Sequence, residues 1–80
     1  MSETYLAALR QILADKLMVP HEQITAEATL EDIELDSLAL VELSMLLEQE
    51  FAITVTDDEL AAAATVGGIV RLIDERSVKL

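Results

Sequence analysis

The chain contains no cysteine, so neither a disulfide framework nor a thiolate metal site can hold it together. It has no tryptophan, and Tyr5 and Phe51 are its only aromatic residues, which leaves Leu, Ile, Val, Met and Ala to build a core. Gly67, Gly68 and Pro20 are the only glycines and proline in 80 residues. That scarcity, with Leu, Ala and Glu abundant, favours helix over strand. Bases are also few, five against sixteen acids, for a formal net charge of −11. Nucleic acid is therefore not an expected partner, because binding phosphates requires Lys and Arg. An anionic membrane surface is disfavoured for the same reason. No apolar run approaches the roughly 18 residues of a membrane span. Met1-Ser2-Glu3-Thr4 lacks the basic-then-apolar pattern of a secretory signal. The expected location is the cytoplasm, and the expected partners carry basic patches.

What the chain does have is apolar periodicity. Its hydrophobic share is 52%, in a length expected to form one domain over 1–80, near the lower end of what folds alone. Leu6, Leu9, Leu13 and Leu17, widened by Ile12, predict a first helix over 3–18, capped by Ser2 or Thr4 and followed by Pro20. Residues 19–36 read as a long loop pinned to the core by Ile24, Leu30, Ile33 and Leu35. Within it, Thr29-Leu30-Glu31-Asp32 could cap one short turn. A connection longer than about 12–15 residues is unusual in a small domain, and when ordered it is often functional.

The loop runs into Leu35-Asp36-Ser37-Leu38, where the strongest helical pattern begins. Asp36 stands at the N-cap position, so Ser37 opens a second helix over 37–51 near the positive end of its dipole. At about 100° per residue this helix carries two apolar stripes. Leu40, Leu43, Leu47 and Phe51 form the longer one, expected to be buried. Leu38, Val41 and Met45 lie nearly opposite, an exposed ridge flanked by Glu42 and Gln49 on one side and Glu48 on the other. Apolar surface rimmed by charge points to a partner. The alternative is a central helix buried on both sides.

Phe51-Ala52-Ile53-Thr54-Val55 alternates briefly but has no strand to pair with, and reads as an extended connection. Thr56-Asp57-Asp58-Glu59 is a capping box that starts a short third helix through Leu60 and Ala61–Ala64. Thr65 caps a fourth helix carrying Val66, Ile69, Val70 and Ile73, with Gly67 and Gly68 weakening its first turns. The expected fold class is all-α: a small four-helix bundle of three main helices and one short one, with a long first loop.

Ser37 has no evident catalytic apparatus. A nucleophilic serine needs a base, usually His, and an orienting group. The only histidine, His21, lies early in the loop as a solvated residue. No acid run matches calcium-loop spacing, and no His/Cys cluster exists for a metal. Ser37 thus reads as a substrate of another enzyme, and the chain as no enzyme itself.

The stretch from Asp32 to Ile73 resembles an acyl carrier protein, the four-helix thiolation domain of fatty-acid and polyketide synthesis. The matching residues are Asp36-Ser37-Leu38, Val41-Glu42-Leu43, Met45, Leu47-Glu48-Gln49-Glu50-Phe51, Ile53-Thr54-Val55, Asp57-Asp58-Glu59-Leu60 and Thr65-Val66-Gly67. The resemblance implies that Ser37 receives a 4′-phosphopantetheine arm from coenzyme A through a phosphopantetheinyl transferase. The arm's thiol then holds cargo as a thioester. By position, Asp36, Leu38, Val41, Glu42, Met45 and Glu48 would form the docking surface read by basic patches. The partners implied are acyltransferase, ketosynthase or ligase-type enzymes, with the carrier itself a monomer.

Three positions depart from the family. Glu34 stands where Gly is usual, implying a different turn; Ala39 replaces a common acid; Thr56 replaces a common Pro. These departures favour a dedicated pathway such as polyketide assembly. The alternatives are a housekeeping fatty-acid carrier and an aminoacyl or peptidyl carrier, although the latter more often has Gly-Gly-His-Ser-Leu at this site. A further alternative, from another class, is an acidic helical interaction module with no prosthetic group.

Overall fold

The structure, a computed structural model, describes residues 3–77. Four α-helices follow in order: α1 Glu3–Lys16, α2 Ser37–Phe51, α3 Asp57–Ala63 and α4 Val66–Arg76. One turn of 3-10 helix at His21–Gln23 interrupts the long loop, and no strand forms among the described residues. Helix α1 packs on α4, α2 on α3, and α3 on α4. The expected all-α bundle is the observed one.

The leucine stripe of α1 folds inward as its spacing dictates. Leu9, Ile12 and Leu13 are buried, and Leu6 and Leu17 pack on their margin. Thr4 lies inside this helix and so does not cap it; Ser2 lies outside the described residues. The helix ends at Lys16, two positions short of the expected end at residue 18. There Val19 N–H turns back onto Leu13 C=O at 3.0 Å, through Met18 in the left-handed region at φ 62°. That turn usually takes glycine.

The loop is ordered by its apolar residues and by the backbone. Ile24, Leu30 and Ile33 are buried as expected, joined by Val19 and Ala28. Arg10 Nε donates to Ile24 C=O at 3.3 Å. Ala28, Leu30 and Ala26 exchange backbone hydrogen bonds with Val66, Ala64 and Gly67, at 2.9, 3.1 and 2.9 Å. They flank an isolated antiparallel bridge between Thr29 and Thr65. No sequence pattern signalled this seam.

The predicted turn at Thr29 also forms. Asp32 N–H donates to Thr29 Oγ1 (3.0 Å) while Thr29 N–H donates to Asp32 Oδ2 (3.2 Å). The turn closes with Leu35 N–H on Leu30 C=O (2.9 Å) and Glu34 N–H on Glu31 C=O (3.0 Å). This double bond pattern needs a left-handed residue between, which is Glu34 at φ 59°. The departure at Glu34 therefore alters the conformational cost of the position, while the turn remains one that glycine would favour.

In α2 the two stripes separate as predicted. Leu40, Leu43 and Leu47 are buried, each fully buried leucine contributing about 1.5–3 kcal/mol. Leu38, Val41 and Met45 are 68%, 39% and 54% exposed, which rules out a helix buried on both sides. Phe51 corrects the expectation in part, since it is only half-buried. It stands at the helix end and meets Tyr5 edge-on, with ring centroids 5.7 Å apart.

Helix α3 carries the full capping box. Thr56 Oγ1 accepts from Glu59 N–H at 3.1 Å, and Glu59 Oε1 accepts from Thr56 N–H at 3.0 Å. Ala64 falls outside the helix, at φ 69°. Gly68 lets α4 start close against α3: a Cβ there would collide with the Ala63 carbonyl and lie 3.1 Å from its Cβ.

Candidate functional site

Asp36 fixes the start of α2. It adopts an extended backbone (φ −88°, ψ −174°), and its Oδ1 accepts from Ala39 N–H at 2.9 Å. Its own carbonyl accepts from Leu40 N–H at 3.0 Å. Because Asp36 supplies the cap, Ser37 is left with no structural task. Ser37 is the first residue of the helix, exposed, and its Oγ makes no hydrogen bond to another described residue.

From Ser37 a groove of about 530 Å³ runs between α2 and α3. Leu30, Leu35 and Leu40 supply apolar lining, and Ala61 and Ala64 leave it open for want of larger side chains. Its ionisable residues are the acids Glu31 and Asp36, so no histidine or amine stands there to take the proton of Ser37. His21 lies in the 3-10 turn, exposed, and lines no part of this groove. No group of three or more His, Cys, Asp or Glu among the described residues could hold a metal.

The residues singled out by sequence spacing come to the surface together. Asp36, Leu38, Val41, Glu42, Met45 and Glu48 are all exposed. Leu38, Val41 and Met45 follow helical spacing on the side away from the core, with Glu42 and Glu48 beside them. Sequence reasoning missed Met18. It reads there as the last residue of the first helix, yet it is 81% exposed. No local pattern marked it, since methionine continues the helical composition of the first helix.

The geometry fits a covalently tethered phosphodiester. The Ser37 hydroxyl, with no hydrogen bond among the described residues, is exposed at the positive end of a 15-residue helix, which favours an attached negative charge. An apolar groove begins beside it.

A family model described as "phosphopantetheine attachment site" matches residues 7–73. The chain is 42% identical over 72 residues to an acyl carrier protein of Clostridium perfringens (strain 13 / Type A), covering 89% of this chain and 95% of that protein. An acyl carrier protein of Petrotoga mobilis is 38% identical over 69 residues, covering 85% and 81% respectively. One from Saccharopolyspora erythraea is 46% identical over 65 residues, covering 80% and 68%.

Proposed function

The chain belongs to the phosphopantetheine attachment-site family, and on that premise we propose that Ser37 Oγ is the point at which this acyl carrier bears its arm. Members of the family are carriers and not catalysts, and their cofactor is covalently attached 4′-phosphopantetheine. The arm supplies a thiol on which an acyl group is held as a thioester. Everything else is done by the protein: it presents one hydroxyl, keeps it free, and offers a surface to the enzymes that use the cargo.

The observation that carries the reading is the division of labour at the start of α2. Asp36 caps the helix, so Ser37, exposed beside it, is available for modification. Loading would form a P–O bond from Ser37 Oγ to the pantetheine-bearing phosphorus of coenzyme A. The P–O bond to 3′,5′-ADP breaks, and the hydroxyl proton leaves to a base on the phosphopantetheinyl transferase. We place that base on the transferase, because Asp36, the carboxylate adjoining Ser37, is engaged as the cap of α2.

The exposed ridge of Leu38, Val41 and Met45, with Asp36, Glu42 and Glu48, is the proposed docking surface. An apolar strip edged with acids suits partners whose own apolar contact is ringed by Arg and Lys. The pathway we infer is a dedicated one such as polyketide assembly, supported by the departures at Glu34, Ala39 and Thr56.

Intact mass after incubation with coenzyme A and a phosphopantetheinyl transferase tests the attachment point. One phosphopantetheine should add to the parent chain and none to Ser37→Ala; addition to the alanine variant sinks the assignment. For the pathway, the holo chain should be a poor substitute when fatty-acid elongation enzymes are supplied. Elongation at the rate of their own carrier would favour the housekeeping alternative.

A further inference from the structure

Met18 and Glu34 both stand in the left-handed region where glycine is the default residue, and both border one concavity. Burial does not compensate either: Met18 is 81% exposed, and Glu34 is exposed. The other two left-handed positions, Ala52 and Ala64, carry only a methyl group. A thioether chain and a carboxylate held towards solvent from such backbone are side chains without a structural use. Strain retained in this way clusters at functional surfaces.

The concavity is an open groove of about 520 Å³ between the end of α1 and the first turns of α2. Met18, Pro20 and Leu38 give it apolar walls; Glu34, Asp36 and Glu42 give it three acids against one base, Lys16, so the groove stays net acidic. Met18 and Leu38 are the two most exposed large hydrophobic side chains among the described residues, at 81% and 68%. Leu38 also heads the ridge on α2, so apolar surface continues from the ridge into the groove.

Granted the reading of Ser37 as attachment point, on which this rests, we infer that the groove is part of the seat of the phosphopantetheinyl transferase. An apolar side chain of the transferase enters between Met18 and Leu38, and Arg or Lys residues face Glu34 and Glu42. The enzyme that forms the bond at Ser37 must cover the first turn of α2, and Asp36, Leu38 and Ala39 are walls of the groove. Enzymes that work on cargo share the ridge from Leu38 onward but act at the far end of the arm, so only the transferase must bring its active site onto Ser37. A second copy of the chain is a poor occupant, because it brings the same acids and another net charge of −11.

The test is steady-state loading of the full chain by a purified phosphopantetheinyl transferase with coenzyme A, with thermal unfolding alongside. Glycine suits both backbone positions, so Met18→Gly and Glu34→Gly should unfold no earlier than the parent. Their kcat/KM for loading should nevertheless fall about tenfold, mainly through KM, as loss of a strong interface contact does. Met18→Leu and Glu34→Asp should recover most of the rate, which separates lost contacts from a loosened loop. Glycine variants loaded at the parent rate overturn the inference while leaving Ser37 as the attachment point. A parent chain that accepts no arm at Ser37 overturns the earlier reading and this one together. Loss of a concentration-dependent dimer in the variants, with loading unchanged, assigns the groove to a second copy and refutes the transferase.

Discussion

At φ 59°, Glu34 holds its Cβ against the neighbouring carbonyl, an arrangement that costs a non-glycine residue roughly 1–2 kcal/mol. Glycine removes that strain but adds freedom to the unfolded chain, so the two effects oppose each other. Strain is the larger of the two, and Glu34→Gly should stabilise the fold by about 1 kcal/mol in urea unfolding. A variant no more stable than the parent would mean that the turn over residues 30–33 already relaxes around the carboxylate. Ser37 presents the opposite case. Its hydroxyl holds nothing in place, because the adjacent Asp36 carboxylate already satisfies the backbone N–H of Ala39. Asp36 and Ser37 are neighbours with different tasks: the carboxylate caps the start of the helix, and the hydroxyl is left to be used.

At the scale of elements, the short α3 is held at its start by one residue serving two neighbours. Glu59 closes the capping box with Thr56 and pairs with Arg76 of α4, whose Nη1 also donates to Thr54 C=O at 2.7 Å. The hydrogen bond from Arg76, followed by the Thr56 N–H, pulls the Glu59 carboxyl down from 4.5 to about 2. A lowered folded-state pKa adds stability above the unfolded value and loses it below. The contribution is therefore present above about pH 4.5 and fades as pH falls towards 2. Glu59→Gln should be less stable than the parent at neutral pH, with the gap closing across that window. A gap independent of pH would place its origin in packing and not in the ion pair. On the far side of α3, Gly68→Ala should cost about 1–3 kcal/mol by forcing α4 away from Ala63, measured as a lower denaturation midpoint.

The same elements show what a sequence makes legible. The stripes of α2, the cap at Asp36 and the box at Thr56 were readable because each depends on residues within four or five positions. The seam between Ala28 and Val66, and the edge-on pair of Tyr5 with Phe51, join segments far apart in the chain and leave no local period. The left-handed turn at Met18 was hidden for another reason: methionine continues a helical pattern by composition, and only the backbone hydrogen bond from Val19 to Leu13 reveals the stop. At the candidate site, the exposed ridge of α2 and its flanking acids could be placed from spacing alone, whereas the groove needed the loop folded beside it.

For the whole molecule the governing quantity is its charge of −11. A field of that size speeds encounter with basic partners and is screened within about 10 Å at 0.1 M salt. Glu42→Lys and Glu48→Lys should each slow transfer reactions with partner enzymes several-fold at low salt, while unfolding stays within about 0.5 kcal/mol of the parent. The deficit should shrink as salt is raised; rates unchanged at low salt would remove these acids from the docking surface. Tyr5 and Phe51, meanwhile, close the pole of the bundle opposite Ser37, at the other end of a helix about 21 Å long. With no tryptophan in the chain, near-ultraviolet absorption and emission arise almost wholly from that one tyrosine. The molecule thus carries its optical reporter at the opposite end of α2 from its chemistry. Any change in tyrosine signal on loading Ser37 would measure a disturbance transmitted along α2, and a silent tyrosine would mark the bundle as a rigid mount.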